Sequence, residues 1–117
     1  MKTVTRQELI DYCLSFPFAY EDYPFDSITD AGLWTVMRHT GNRRSFAFIY
    51  VRNSKLCVNL KCHPFEADLL RQTYDDVNPG FHMNKTHWNT ITLGGDVPMG
   101  ELKRMIRSSY NLITPRR

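Results

Sequence analysis

Long apolar runs are missing from this 117-residue sequence. The longest, Phe46–Val51, spans six residues, whereas a helix that crosses a bilayer needs ~20. The first eleven residues are polar and carry acids, so the apolar core of a signal peptide is absent and a cytoplasmic location is expected. Cysteine is scarce. Three thiols are an odd number, which argues against a disulfide framework. Cys57 and Cys62 lie five apart and would face opposite sides of a continuous strand. Even with His63 adjacent, that spacing does not suit zinc, so free thiols and no metal are expected.

Catalytic signatures are missing too. There is no GxSxG, HExxH or P-loop pattern. His82 and His87 are the candidate bases or ligands, but no carboxylate stands at a spacing that would orient them. No serine or cysteine motif adjoins them. The chain is therefore expected to be no enzyme, to carry no cofactor and to have no membrane partner.

What is present reads as one globular domain over residues 1–117, with 42% hydrophobic, 13% aromatic and 23% charged residues. The net charge of +3 is unevenly spread. Residues 1–30 hold two bases and six acids, whereas residues 31–71 hold seven bases and two acids. A basic middle behind an acidic front is compatible with a phosphate-facing surface, and equally with a solvated sheet and its turns.

Thr5-Arg6-Gln7-Glu8 is a capping box, and Leu9, Ile10, Cys13 and Leu14 follow at helical spacing until Pro17. The segment 16–32 is a long acidic and aromatic connector. Its Phe16, Phe18, Tyr20, Tyr23 and Phe25 are expected to pin it to the body. Three strands follow, Leu33–His39, Ser45–Arg52 and Leu56–Cys62, joined by short turns into an antiparallel meander. Alternation places Leu56, Val58 and Leu60 on a buried side and Cys57, Asn59 and Lys61 on a wet one. The middle strand is apolar on both sides, with Phe46, Phe48 and Tyr50 on one and Ala47, Ile49 and Val51 on the other. Something must cover or bind its second side.

Pro64 opens a second helix whose core side is Phe65, Leu69, Leu70 and Thr73. Asn78-Pro79-Gly80 marks a turn, and His87–Leu93 reads as a strand. In the last helix Asp96 is the expected N-cap, Pro98 lies just inside, and Leu102, Met105, Ile106 and Tyr110 form the stripe. Lys103, Arg104 and Arg107 there suit the negative end of the helix dipole. The pattern predicts an α+β two-layer sandwich in the order α-β-β-β-α-β-β-α, with helices on one face of an antiparallel sheet.

The run Asn78–Thr90, containing PGFHMNKTHWNT, is more polar and more varied than packing requires. It resembles the MmcQ/YjbR family. Tyr23-Pro24-Phe25, Cys57-Val58-Asn59-Leu60-Lys61 before Pro64, and Ser108-Ser109-Tyr110-Asn111-Leu112 extend the likeness over nearly the whole chain. The resemblance implies a compact sandwich comparable with secretion-chaperone-like or frataxin-like folds. It also implies a DNA-binding protein with projecting hairpins as wings. His63 departs from the pattern, because histidine caps a helix poorly where an acidic or other capping residue is expected.

The candidate nucleic-acid-binding residues are Arg38, Arg43, Arg44, Lys61, His82, Asn84, Lys85, His87 and Trp88. Lys85 can meet a phosphate, Asn84 and Asn89 can bond backbone or base edges, and Trp88 can stack on a base. Each has a structural reading beside it. Trp88 belongs to the core as readily as to a ligand, and Asn84 can brace its own loop. Arg43 and Arg44 lie at the opposite end of the meander from Arg52 and Lys55, so the two turns cannot form one patch. The expected function is weak, mainly backbone-directed nucleic-acid binding. The alternative is a small adaptor or chaperone-like module that takes a protein or small ligand on the second sheet face.

Overall fold

The computed structural model describes residues 4–25 and 33–116. Helix α1, Arg6–Leu14, starts on the expected box: the Glu8 amide donates to the Thr5 hydroxyl at 3.1 Å and the Thr5 amide to the Glu8 carboxylate at 3.0 Å. The connector then adds an edge strand, β1 at Ala19–Asp22. Next come β2 at Thr35–His39, β3 at Ser45–Arg52, β4 at Lys55–Lys61 and helix α2 at Pro64–Thr73. Strands β5 at Val77–Pro79 and β6 at Trp88–Thr92 precede helix α3, Met99–Ile113. The chain is α+β and, apart from the added edge strand, follows the expected order. All pairings are antiparallel, in the spatial order β1-β2-β3-β4-β6-β5. Connector residues 26–32 lie outside the described residues. Among the described residues no helix is long and apolar enough to cross a membrane.

The three helices share one face of the sheet. Leu9, Ile10 and Cys13 of α1, Ala67 and Leu70 of α2, and Leu102, Met105, Ile106 and Ile113 of α3 bury against Met37, Ala47, Ile49, Val58, Leu60 and Ile91. Cys62 joins this core, whereas Cys57, buried, points to the other side.

Five expectations need correction. The register runs Met37 to Ala47 but then Arg38 to Ser45, so Phe46 is an extra residue in a bulge. A bulge breaks the two-residue alternation. Phe46 therefore turns to the helix side, with its ring 5.3 Å from Tyr110, while Phe48 and Tyr50 face away. The second side of β4 is not wet, since Cys57 and Asn59 are both buried.

In α2 the expected core residues Phe65 and Leu69 are exposed, Phe65 at 78%, and Thr73 is exposed as well. Small Ala67 lies against β6 instead, where its carbonyl accepts the Asn89 carboxamide at 3.1 Å. His63 makes no side-chain cap. At α3, Pro98 occupies the N-cap position, and Asp96 bonds backward to the Asp75 and Asp76 amides at 2.8 and 3.1 Å. Arg104 and Arg107 sit mid-helix, and no base lies in the last turn, so the helix dipole does not explain them.

Candidate functional site

The sheet face opposite the helices has a closed part and an open part. Residues paired across antiparallel strands share a face, so Val36, Phe48, Asn59 and Thr90 form one row there. Tyr50 and Cys57 form the next.

This part is closed from above by Trp34 and by the loop between β5 and β6. The Trp34 ring stacks on Tyr50 at 4.0 Å, within 6° of parallel. Phe81 folds back over the sheet, held by a buried polar set. Asn59 Oδ1 accepts the Tyr50 and Thr90 hydroxyls, each at 2.6 Å. Asn59 Nδ2 donates to the Phe81 carbonyl at 2.9 Å, and the Phe81 amide donates to Thr90 Oγ1 at 2.8 Å. The Arg52 guanidinium lies 3.9 Å above the Phe81 ring centre. Burial pushes the Tyr50 phenol above its ordinary value, as expected for a group that stays neutral in such a cluster.

The open part is the strip nearest the β2–β3 turn. Tyr20 pairs with Arg38, Arg38 with Ser45, and Lys61 with Trp88. Lys61 follows Leu60, the last β4 residue in register with β3. Beyond that pair the Ser109 hydroxyl stands between the strands, accepting the Lys61 amide at 2.9 Å and donating to the Phe46 carbonyl at 2.6 Å. Tyr20–Arg38–Ser45 and Lys61–Trp88 thus form two short cross-strand rows that flank this bridge on one face of the sheet, a strip of five half-buried residues. Half-buried Phe48 lies beside it, its ring edge-on to Trp88 at 5.5 Å. Arg38 Nε donates to Asp22 at 2.8 Å, and its other nitrogen donates to the Arg43 carbonyl and the Ser45 hydroxyl at 3.0 and 3.1 Å. These bonds preset the guanidinium but also offset its charge.

Of the nine candidates, the fold therefore brings Arg38, Lys61 and Trp88 onto one sheet face. Arg43 and Arg44 stand exposed on the adjoining turn, where Arg43 takes a left-handed φ of 61°. The loop residues divide differently. Asn84 Oδ1 accepts the amides of Thr86 and His87 at 2.9 and 3.3 Å, a brace for its own loop. Lys85 Nζ donates to the Gly80 carbonyl at 2.8 Å. His82 is exposed, also with left-handed φ, and its ring sits 4.0 Å from Phe81. His87 is exposed, and its carbonyl accepts the Cys62 amide at 2.7 Å.

Asn89, read from sequence as a possible base contact, is fully buried on the helix side, because strand alternation turns it away from Trp88 and Thr90. It is bound there by Arg71, which sequence reasoning passed over. Arg71 Nε donates to Asn89 Oδ1 at 2.6 Å, and its terminal nitrogen reaches the carbonyls of Lys85 and Trp88. Tyr20 and Ser45 were also missed, because only the pairing of β1 and the bulge place them in the strip. No three His, Cys, Asp or Glu side chains gather as metal ligands among the described residues.

A family model for YjbR matches residues 14–112. The chain belongs to the YjbR family. It is 32% identical over 107 residues to the uncharacterized protein YjbR of Escherichia coli K12, covering 92% of this chain and 85% of that one. It is 30% identical over 119 residues to the uncharacterized protein YyaQ of Bacillus subtilis, covering 93% and 98%. A crystal structure from Deinococcus radiodurans superposes with a TM-score of 0.83 at 32% identity, over 96% of this chain and 80% of that one. One from Pseudomonas syringae gives 0.81 at 26% identity, over 95% and 100%. The stretch matched to YjbR contains the whole strip, the loop above Tyr50 and the Arg71 clamp beneath that loop.

Proposed function

We propose that this chain is a binding module rather than an enzyme, and that it takes nucleic acid weakly across the open strip. The observation that carries this reading is the shared face of the Tyr20–Arg38–Ser45 row and the Lys61–Trp88 pair, which carries two cations, a hydroxyl and two aromatic rings. Phosphates meet the cations and hydroxyl, while unpaired bases stack on Phe48 and Trp88. A duplex keeps its bases stacked within itself, so a single strand suits the strip better. Asp22 competes for Arg38, which accounts for weak binding. Three buried free thiols accord with the reducing cytoplasm. The adaptor alternative is less favoured, since Trp34 and Phe81 already cover Tyr50 and little continuous apolar surface is left on this face.

Titrating a short oligothymidine and a matched duplex at several salt concentrations, read by tryptophan fluorescence, tests the proposal. With Arg38, Arg44 and Lys61 on phosphates, the log–log salt slope for the single strand should be about −2, or ~20-fold weaker binding between 50 and 200 mM salt. Lys61→Ala and Arg44→Ala should each flatten it by somewhat less than one unit, with no change in sequence preference. No binding at the lowest salt overturns the proposal.

A further inference from the structure

The outward side of α3 carries a cleft of about 350 Å³ lined by Arg104, Arg107, Ser108, Asn111, Leu112 and Arg116. It lies on the helix side of the sheet, away from the strip. The helix dipole does not explain its charge, because Arg104 and Arg107 are mid-helix. Arg104 is matched by Glu101 and by Glu66, the latter at 3.1 Å, and forms a fixed wall. Arg107 and Arg116 differ. Among the described residues neither has a carboxylate partner, and the Ser108 hydroxyl and Asn111 carboxamide have no hydrogen-bond partner either.

Two guanidinium forks, a hydroxyl and a carboxamide thus line one concavity without a hydrogen-bond or carboxylate partner among the described residues, the Arg107 fork lying 6.0 Å over the Phe16 ring centre. The matching ligand is an oxyanion, and guanidinium planes favour phosphoryl oxygens through paired bonds. The negative end of α3 would oppose an anion, but two of its last four carbonyls are bonded. Tyr110 O accepts the Thr114 hydroxyl at 2.7 Å, and Ile113 O accepts the Asn42 carboxamide at 2.7 Å. Dipole effects also fade beyond the last turn.

We propose that this cleft binds a free, phosphorylated small molecule, and that its two unpaired forks favour a diphosphate over a single phosphate. Leu112, exposed at 45%, offers the organic part an apolar contact.

The test is an amide-resolved NMR titration of the full chain with inorganic phosphate and with pyrophosphate at constant ionic strength. Pyrophosphate should shift amides across 104–116 and bind roughly tenfold tighter than phosphate, a difference of about 1.4 kcal/mol. Arg107→Ala and Arg116→Ala should each weaken it about fivefold or more while the remaining spectrum shows the fold intact. Lys61→Ala should leave it unchanged, which separates this site from the strip. An oligothymidine arm distinguishes the source of phosphate: shifts confined to the strip support a free ligand, whereas oligonucleotide shifts across 104–116 overturn it. Absence of pyrophosphate shifts up to ~10 mM, or shifts that persist in the Arg107→Ala/Arg116→Ala double variant, also overturn the proposal.

Discussion

Arg71 Nε donates to Asn89 Oδ1 at 2.6 Å, and through this bond helix α2 holds the loop that closes the far sheet face. Asn89 also donates to the Ala67 carbonyl, and Arg71 reaches two carbonyls of the loop and its strand. One buried carboxamide therefore ties a helix, a strand and a loop together.

Truncating Asn89 leaves the Ala67 carbonyl and part of the Arg71 guanidinium without partners. Asn89→Ala should lower unfolding stability by about 2–3 kcal/mol, the usual cost of buried groups left unpaired. Arg71→Ala should cost less but loosen the loop, read as faster amide exchange over 80–88. Equal stability of Asn89→Ala and wild type in a denaturant titration would contradict this role.

The Asn59 set gives an ordered pair of outcomes. Tyr50→Phe removes one donor and leaves the Thr90 bond in place, so about 1 kcal/mol should be lost. Asn59→Ala strands the Phe81 carbonyl and leaves the Tyr50 and Thr90 hydroxyls only each other, 3.3 Å apart, and about 2–3 kcal/mol should go. Near-ultraviolet circular dichroism, sensitive to the Trp34–Tyr50 stack, should change more for Asn59→Ala.

The thiols should be silent in the native state. Burial pushes Cys13 up to about 12 and Cys62 up to about 11, and raises Cys57 as well. Neutral, enclosed thiols react slowly, so a thiol reagent should label none at neutral pH and all three in denaturant. The raised values also set a sign. Above the ordinary thiol value of 9.0 the unfolded chain ionises first, so the thiols' contribution to stability is lost as pH climbs from there toward the folded-state values.

Asp96 predicts the opposite limb. Hydrogen bonds, first from the Asp75 amide and then from Asp76, hold its carboxyl below the ordinary 3.8, against some opposing desolvation. Its contribution is complete above that value and is lost as pH falls through the lower folded-state value. Asp96→Asn should flatten the acid end of the stability profile. Gly95→Ala should disturb the other half of this clasp, in which Asp76 Oδ2 accepts the Asp96 amide at 3.0 Å, since an added Cβ would stand 1.5 Å from that oxygen.

The sequence by itself determined the local pieces. Thr5 and Glu8 announce the first helix, Pro64 the second, and period-two alternation in Leu56–Leu60 marks a strand. These signals lie within a few residues of one another, so neighbouring chain chemistry sets them. Short turns made the meander legible, and PGFHMNKTHWNT made the family legible.

Pairing and packing decided the rest. Strand β1 contains only Ala19–Asp22 and exists because β2 offers it an edge. The bulge at Phe46 comes from matching β3 to β2, and no pattern within β3 announces it. It sends Phe46 to the core and leaves Phe48 and Tyr50 behind. Phe65 and Leu69 have the right spacing for a core side, but Ala67 is small enough to let α2 approach β6, which turns those two outward. The strip has the same origin: its five residues are spread from 20 to 88, and the pairing of β1, β2 and β3 and of β4 with β6 sets them as two rows on one face, with cross-strand partners ~5 Å apart.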